Sequence, residues 1–155
     1  MNFQITPLPL AQFAPLFALS DEELAARNIV RRTVDRYPGF PCRVSLEDAP
    51  LGETVLLLNY EHQPAATAYR SSHAIFVRER AREATPGVNE IPEVLSRRLL
   101  SVRGFDARGF MARADVLEGA VLADAIASFF ASDDVAYLHL HNAKAGCYAA
   151  RVDRA

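Results

Sequence analysis

The stretch Val135-Ala136-Tyr137-Leu138-His139-Leu140-His141-Asn142-Ala143-Lys144-Ala145-Gly146-Cys147-Tyr148-Ala149-Ala150-Arg151-Val152-Asp153 decides the fold. Residues 135–141 and 147–153 read as two strands, and Asn142–Gly146 between them is a small, polar turn ending in glycine. This is a β-hairpin. Two-residue periodicity puts Leu138 and Leu140 on one face and Tyr137, His139 and His141 on the other. With a loop spanning 142–146, His141 stands opposite Cys147 and His139 opposite Ala149. Tyr148, Ala150 and Val152 then join the leucine face, and Cys147 and Arg151 join the histidine face. Directly opposed residues have Cβ atoms about 4.5–5.5 Å apart. This register therefore makes an imidazole and a thiol neighbours, and a slip of one residue would separate them.

The rest of the chain reads in the same style. Leu99–Phe105 and Phe110–Asp115 flank Asp106-Ala107-Arg108-Gly109, a second hairpin with glycine at a left-handed position. Val55-Leu56-Leu57-Leu58, within a strand over 54–60, suits a central strand covered on both faces. Further strands are predicted at Phe3–Ile5, 29–35, 42–46 and 73–79. Ser20 with Glu23 is a capping box that starts a short helix over 21–27, and Pro92 suits the first turn of another over 92–97. Residues 117–130 carry Leu117, Val121, Leu122, Ala125, Ile126 and Phe129 at helical spacing and predict the one long amphipathic helix. The expected fold is α+β: a single domain of residues 1–155, with one mixed, mainly antiparallel sheet packed against that helix.

Composition narrows the function classes. Half of the residues are hydrophobic, 23% are charged and the formal net charge is −2. A chain of this kind folds on its core alone and offers no electrostatic reason to bind nucleic acid or an anionic membrane. The start, Met1-Asn2-Phe3-Gln4-Ile5-Thr6, lacks the basic and apolar regions of a signal peptide, and no uncharged apolar run is long enough to span a bilayer. Cys42 and Cys147 are therefore expected as reduced thiols in a cytoplasmic protein. No phosphate-binding glycine loop, dinucleotide fingerprint, zincin helix or nucleophile elbow is present.

Candidate site residues concentrate on the last hairpin. In the leading reading the chain binds a small anionic molecule. Arg43, Tyr69, Arg70, Ser72, His73, His139, Asn142 and Lys144 contact the ligand, Cys147 is a candidate nucleophile and His141 a proton shuttle. Whether a reaction follows, and with which cofactor, is left open. In a second reading the same face packs against another protein or a second copy, because Tyr137, Tyr148 and Arg151 are interface-type residues. In a third, His139 and His141 begin a metal site that needs a further ligand, with His73, His62 or Cys147 as candidates. Glu61-His62 also reads as a solvated pair at a strand end, and Cys42 as a core thiol.

Four segments carry a family resemblance: Phe40-Pro41-Cys42-Arg43-Val44-Ser45-Leu46, Tyr69-Arg70-Ser71-Ser72-His73-Ala74-Ile75, Arg98-Leu99-Leu100-Ser101-Val102-Arg103, and Tyr137 through Tyr148. On these the chain resembles the bacterial family filed as domain of unknown function 1203, from about Phe3 to Arg151. The resemblance implies one domain over most of the chain. It implies no activity, so no catalytic residue is carried over from it.

Overall fold

The computed structural model describes residues 1–155 as two five-stranded sheets with a few short helices. In chain order the elements are β1 (Phe3–Thr6), α1 (Asp21–Ala25), β2 (Val30–Thr33), β3 (Pro41–Cys42), β4 (Glu47–Asp48), β5 (Thr54–Gln63), β6 (Ser71–Arg78), α2 (Glu93–Ser96), β7 (Leu99–Phe105), β8 (Met111–Glu118), α3 (Leu122–Phe130), β9 (Tyr137–Asn142) and β10 (Tyr148–Arg154). The first sheet has the order β1-β10-β9-β7-β8 and the second β2-β5-β6-β3-β4. Every pairing is antiparallel except the short contact of β3 with β6.

The expected single sheet is thus two sheets, and the parity of side chains shows why. Leu138, Leu140, Leu100, Val102, Ala150 and Val152 form one core with Leu122, Ile126 and Phe129 of α3. On the second sheet Leu56, Leu58, Ile75 and Val77 form another core with Phe13 and Leu24 of the N-terminal segment and with Tyr148. Val55 lies on the opposite face of β5 in a small cluster with Val34, Phe40 and Ala49, so β5 is covered on both sides, as its continuous apolar run requires. The capping box forms as written in the sequence: Ser20 Oγ accepts from the Glu23 amide at 3.2 Å, and the Glu23 carboxylate accepts from the Ser20 amide at 2.7 Å.

Two elements differ from expectation. The long helix over 117–130 is shortened to α3, because Leu117 still pairs with Leu100 at the end of β8 and residues 119–121 form a 3₁₀ turn. Gly119 holds this junction. Its amide donates to the Arg98 carbonyl at 2.7 Å, and a Cβ added there would lie 2.1 Å from the Leu95 carbonyl oxygen. The strand expected over 42–46 is replaced by a buried turn, in which the Leu46 amide donates to the Cys42 carbonyl at 3.1 Å and Leu46 takes φ of 50°. That turn swings Arg43 inward rather than alternating it outward.

Gly119→Ala is expected to destabilise the fold by roughly 1–3 kcal/mol, because the neighbours of the new methyl are backbone carbonyls that cannot rotate away. A urea titration against the parent chain measures this. An unchanged midpoint would show that the junction is looser than its geometry.

Candidate functional site

The C-terminal hairpin forms with a register one residue tighter than expected. The Asn142 amide donates to the Cys147 carbonyl at 2.9 Å, the Gly146 amide donates to the Asn142 carbonyl at 2.7 Å, and Gly146 takes φ of 75°. The loop closes at 143–146, so Tyr148 and not Cys147 stands opposite His141. An irregularity between Tyr148 and Ala150 then shifts the register again, setting Ala150 against Leu140, Arg151 against His139 and Val152 against Leu138. The anticipated imidazole–thiol pair is thereby undone. Tyr148 moves to the histidine face, and Cys147 turns toward a different environment.

The histidine face meets the second sheet. All four histidines of the chain gather there, on β5, β6 and β9. His62 is the hub. Its Nδ1 lies 3.2 Å from His139 Nδ1, its Nε2 lies 2.7 Å from His73 Nδ1, and its ring stacks on Tyr148 at 4.9 Å. His141 Nδ1 is 2.9 Å from the Gly146 carbonyl, which can only accept, so Nδ1 carries the proton and Nε2 holds the lone pair. That Nε2 is buried without a hydrogen-bond partner.

His139 is 2% exposed and His141 0%. Burial, reinforced by neighbouring histidines and by Arg103, pushes both down to about 3. Burial first, then His73 and Arg103, pushes His62 down to about 4, and burial with Arg103 lowers His73 as well. The cluster is therefore neutral at ordinary pH. Arg103 stands directly opposite His139 across the β7–β9 ladder, and its Nε donates to Ser101 Oγ at 3.4 Å.

Cys147 faces a cavity of about 1000 Å³ lined by Arg36, Arg43, Arg97, Arg98, Asn142 and Lys144 among others. Arg43 is 2% exposed. It donates from Nε to the Tyr148 carbonyl at 2.7 Å, from one terminal nitrogen to the Pro41 carbonyl, and from the other to Cys147 Sγ at 3.0 Å. The Asn142 amide donates to the same sulfur at 3.5 Å. Burial pushes the Arg43 guanidinium below its ordinary value, and Cys147 opposes that shift. Among the three acceptors only the sulfur can take a full negative charge.

Of the residues expected at one site, Arg43, Asn142, Lys144 and Cys147 share this cavity, while His73, His139 and His141 share the imidazole cluster. Alternation puts Ala74, which lines the cavity, and His73 on opposite faces of β6, so the two groups are separate places. Arg70 is exposed and bound through both nitrogens to Glu61 at 2.8 and 3.3 Å, and Ser72 points outward on β6. Tyr69 packs edge-on against Phe105 and Phe110. Ser71, not Ser72, approaches the cluster, at 3.4 Å from His62 Nε2.

Neither Arg103 nor Arg98 is among the expected site residues; Tyr148 enters only the partner-binding reading, and His62 only as a candidate further ligand of the metal reading. For His62 the signal existed: it continues the parity of Leu56, Leu58 and Tyr60, had the strand been extended to Gln63.

The family profile described as "Protein of unknown function (DUF1203)" matches residues 39–154. The chain belongs to this family. Neither a curated protein nor a solved structure matches it. The DUF1203 match spans β3 through β10 and so contains all four histidines, Arg43 and Cys147. It supplies no chemistry beyond what these residues show.

The neutral imidazoles make stability depend on pH with a definite sign. Unfolded histidines titrate near 6.5, whereas His139 and His141 stay neutral in the fold down to about 3. As pH falls below 6.5 the unfolded chain binds protons that the folded chain refuses, so stability is full above that value and is lost progressively toward 3–4. By pH 5 the loss is roughly 2 kcal/mol for each fully buried ring. Denaturant midpoints measured from pH 8 to 5 should fall, and less steeply in His139→Gln if that variant stays folded. A flat profile would mean the rings already accept protons in the fold.

Proposed function

We propose that the cavity beside Cys147 binds a small anionic molecule, with the thiol as candidate nucleophile. One observation carries the reading: every charged side chain that lines the cavity is a cation, namely Arg36, Arg43, Arg97, Arg98 and Lys144. Asp48 partners Arg98 at 2.6 Å and Arg97 at 3.8 Å, but Arg43 sends its hydrogen bonds to two carbonyls and a sulfur. A buried guanidinium without a carboxylate favours an anion nearby, and charge-assisted hydrogen bonds are the strong kind. The volume matches a small-molecule site, and Pro38, Pro41, Leu99 and Val116 supply apolar wall. Carboxylates and phosphate esters are the ligand classes this wall fits.

This reading differs from the sequence expectation in its members. In it His141 has no part as a proton shuttle for Cys147, a choice supported by its Nδ1 contact with Gly146 and by its ring facing the other histidines. Arg70 is engaged by Glu61. The face carrying His139 and His141, which the partner-binding alternative required, is covered by the second sheet of the same chain.

The test combines a panel of small carboxylates and phosphate esters with alkylation of Cys147 by iodoacetamide in the Cys42→Ala background. A bound anion at 100 times its Kd adds about 2.7 kcal/mol of stability, read as a rise in Tm, and should slow alkylation in parallel. Lys144→Ala should weaken both effects by about tenfold, the worth of one exposed charge-assisted contact. If no anion protects the thiol, or Lys144→Ala leaves protection unchanged, the cavity is not an anion site.

A further inference from the structure

We propose that His62, His73 and His141 form a binding site for a divalent transition metal of the zinc class, separate from the cavity at Cys147. The three rings come from β5, β6 and β9, that is, from both sheets, and each offers a nitrogen within 4.8 Å of the others. Four-coordinate zinc at about 2.0–2.1 Å from each nitrogen sets neighbouring nitrogens roughly 3.3 Å apart. The rings therefore need only small adjustments to converge.

The arrangement is that of ligands already held by outer partners. Metal-binding imidazoles use one nitrogen for the ion and donate the other N–H to a carbonyl, carboxylate or water, which fixes tautomer and orientation. His141 does this now, with Nδ1–H on the Gly146 carbonyl at 2.9 Å and Nε2 left buried without a partner. A buried nitrogen without a partner carries a desolvation cost, and an ion placed among these rings would remove it. His62 turns Nδ1 to His139 at 3.2 Å and Nε2 to His73 at 2.7 Å, so Nε2 reaches the ion once that contact opens. His139 is thus a positioning residue behind His62.

Proton accounting is simple. His62 Nε2 and His73 Nδ1 share one proton across 2.7 Å, and coordination by both nitrogens requires that proton to move to the far nitrogen of its own ring. Three neutral imidazoles bind the ion with no proton lost from the protein, and a proton is released only where a bound water becomes hydroxide. The donor set is three nitrogens with no thiolate, which suits zinc, cobalt, nickel or copper rather than magnesium or calcium. His73 is only half-buried and gives the ion a way in. Three protein ligands leave a fourth position open, as in catalytic rather than structural zinc sites. The cluster brings no carboxylate to balance the ion, and Arg103 lies close enough to lower all four histidines. The fourth ligand that fits is accordingly an anion, hydroxide or a small carboxylate.

The experiment uses full-length chain without a histidine tag, stripped with chelator and titrated with Zn²⁺ in competition with a chromogenic chelator, and in parallel with Co²⁺. A single equivalent of tight Zn²⁺ and the d–d absorption of four-coordinate Co²⁺ are expected. His73→Gln, at the least buried ligand and so the safest for folding, should abolish both while far-UV circular dichroism stays native. His141→Gln should do the same. His139→Gln should weaken zinc by about 10–100-fold without removing the cobalt spectrum, as an outer partner does. The proposal is overturned if the parent chain takes up no stoichiometric metal, or if folded His73→Gln binds as tightly as the parent. Neither result bears on anion binding, which is read at Cys147.

Discussion

The structure depends on how two sheets can meet through polar rings. Most sheet contacts are apolar, but here His62, His73, His139, His141 and Tyr148 lie between the sheets. A buried imidazole has two nitrogens, one a donor and one an acceptor, and each left unmatched carries a desolvation cost. The cluster matches most of them internally, through the run His139–His62–His73 and the bond from His141 to Gly146. This ties the hairpin to β5 and β6 through directional contacts. The exception, His141 Nε2, is where the arrangement has spare binding capacity.

Arg43 makes the second tie between the sheets. It sits on the buried turn after β3 and reaches the Tyr148 carbonyl of β10. Solvating a fully buried guanidinium with carbonyls and one sulfur is a weak substitute for water or a carboxylate. The same residue that couples the sheets therefore leaves positive potential in the adjacent cavity, to which Lys144 adds, whereas Arg97 and Arg98 are partnered by Asp48.

Both places share one piece of chain. In residues 141–148, His141 and Tyr148 belong to the imidazole layer while Asn142, Lys144 and Cys147 belong to the cavity. Gly146 serves both, since its left-handed conformation closes the turn and its carbonyl holds His141.

How much of this was legible beforehand follows from the range of the forces involved. Local chemistry determined the Ser20–Glu23 cap, the two C-terminal hairpins, the sidedness of Leu138 and Leu140 and the two-sided burial of β5, because each rests on neighbours within a few residues. The helix written over 117–130 failed where a distant contact intervened, the seating of Gly119 against the carbonyls of residues 95–98. The pairing of His141 with Cys147 failed by one residue, because turn length is set by the backbone conformation of Gly146 rather than by the strand pattern on either side. That His62 and His73 would meet the H-x-H strand could not be read from spacing, since they lie on another sheet and sheet-to-sheet packing is a long-range outcome. The sequence by itself determined the sidedness of β9, where Leu138 and Leu140 oppose His139 and His141, and which residues carry chemistry. Only the tertiary structure decided that they divide into an imidazole cluster and a basic, thiol-bearing cavity, because that division depends on which faces two separate sheets turn toward each other.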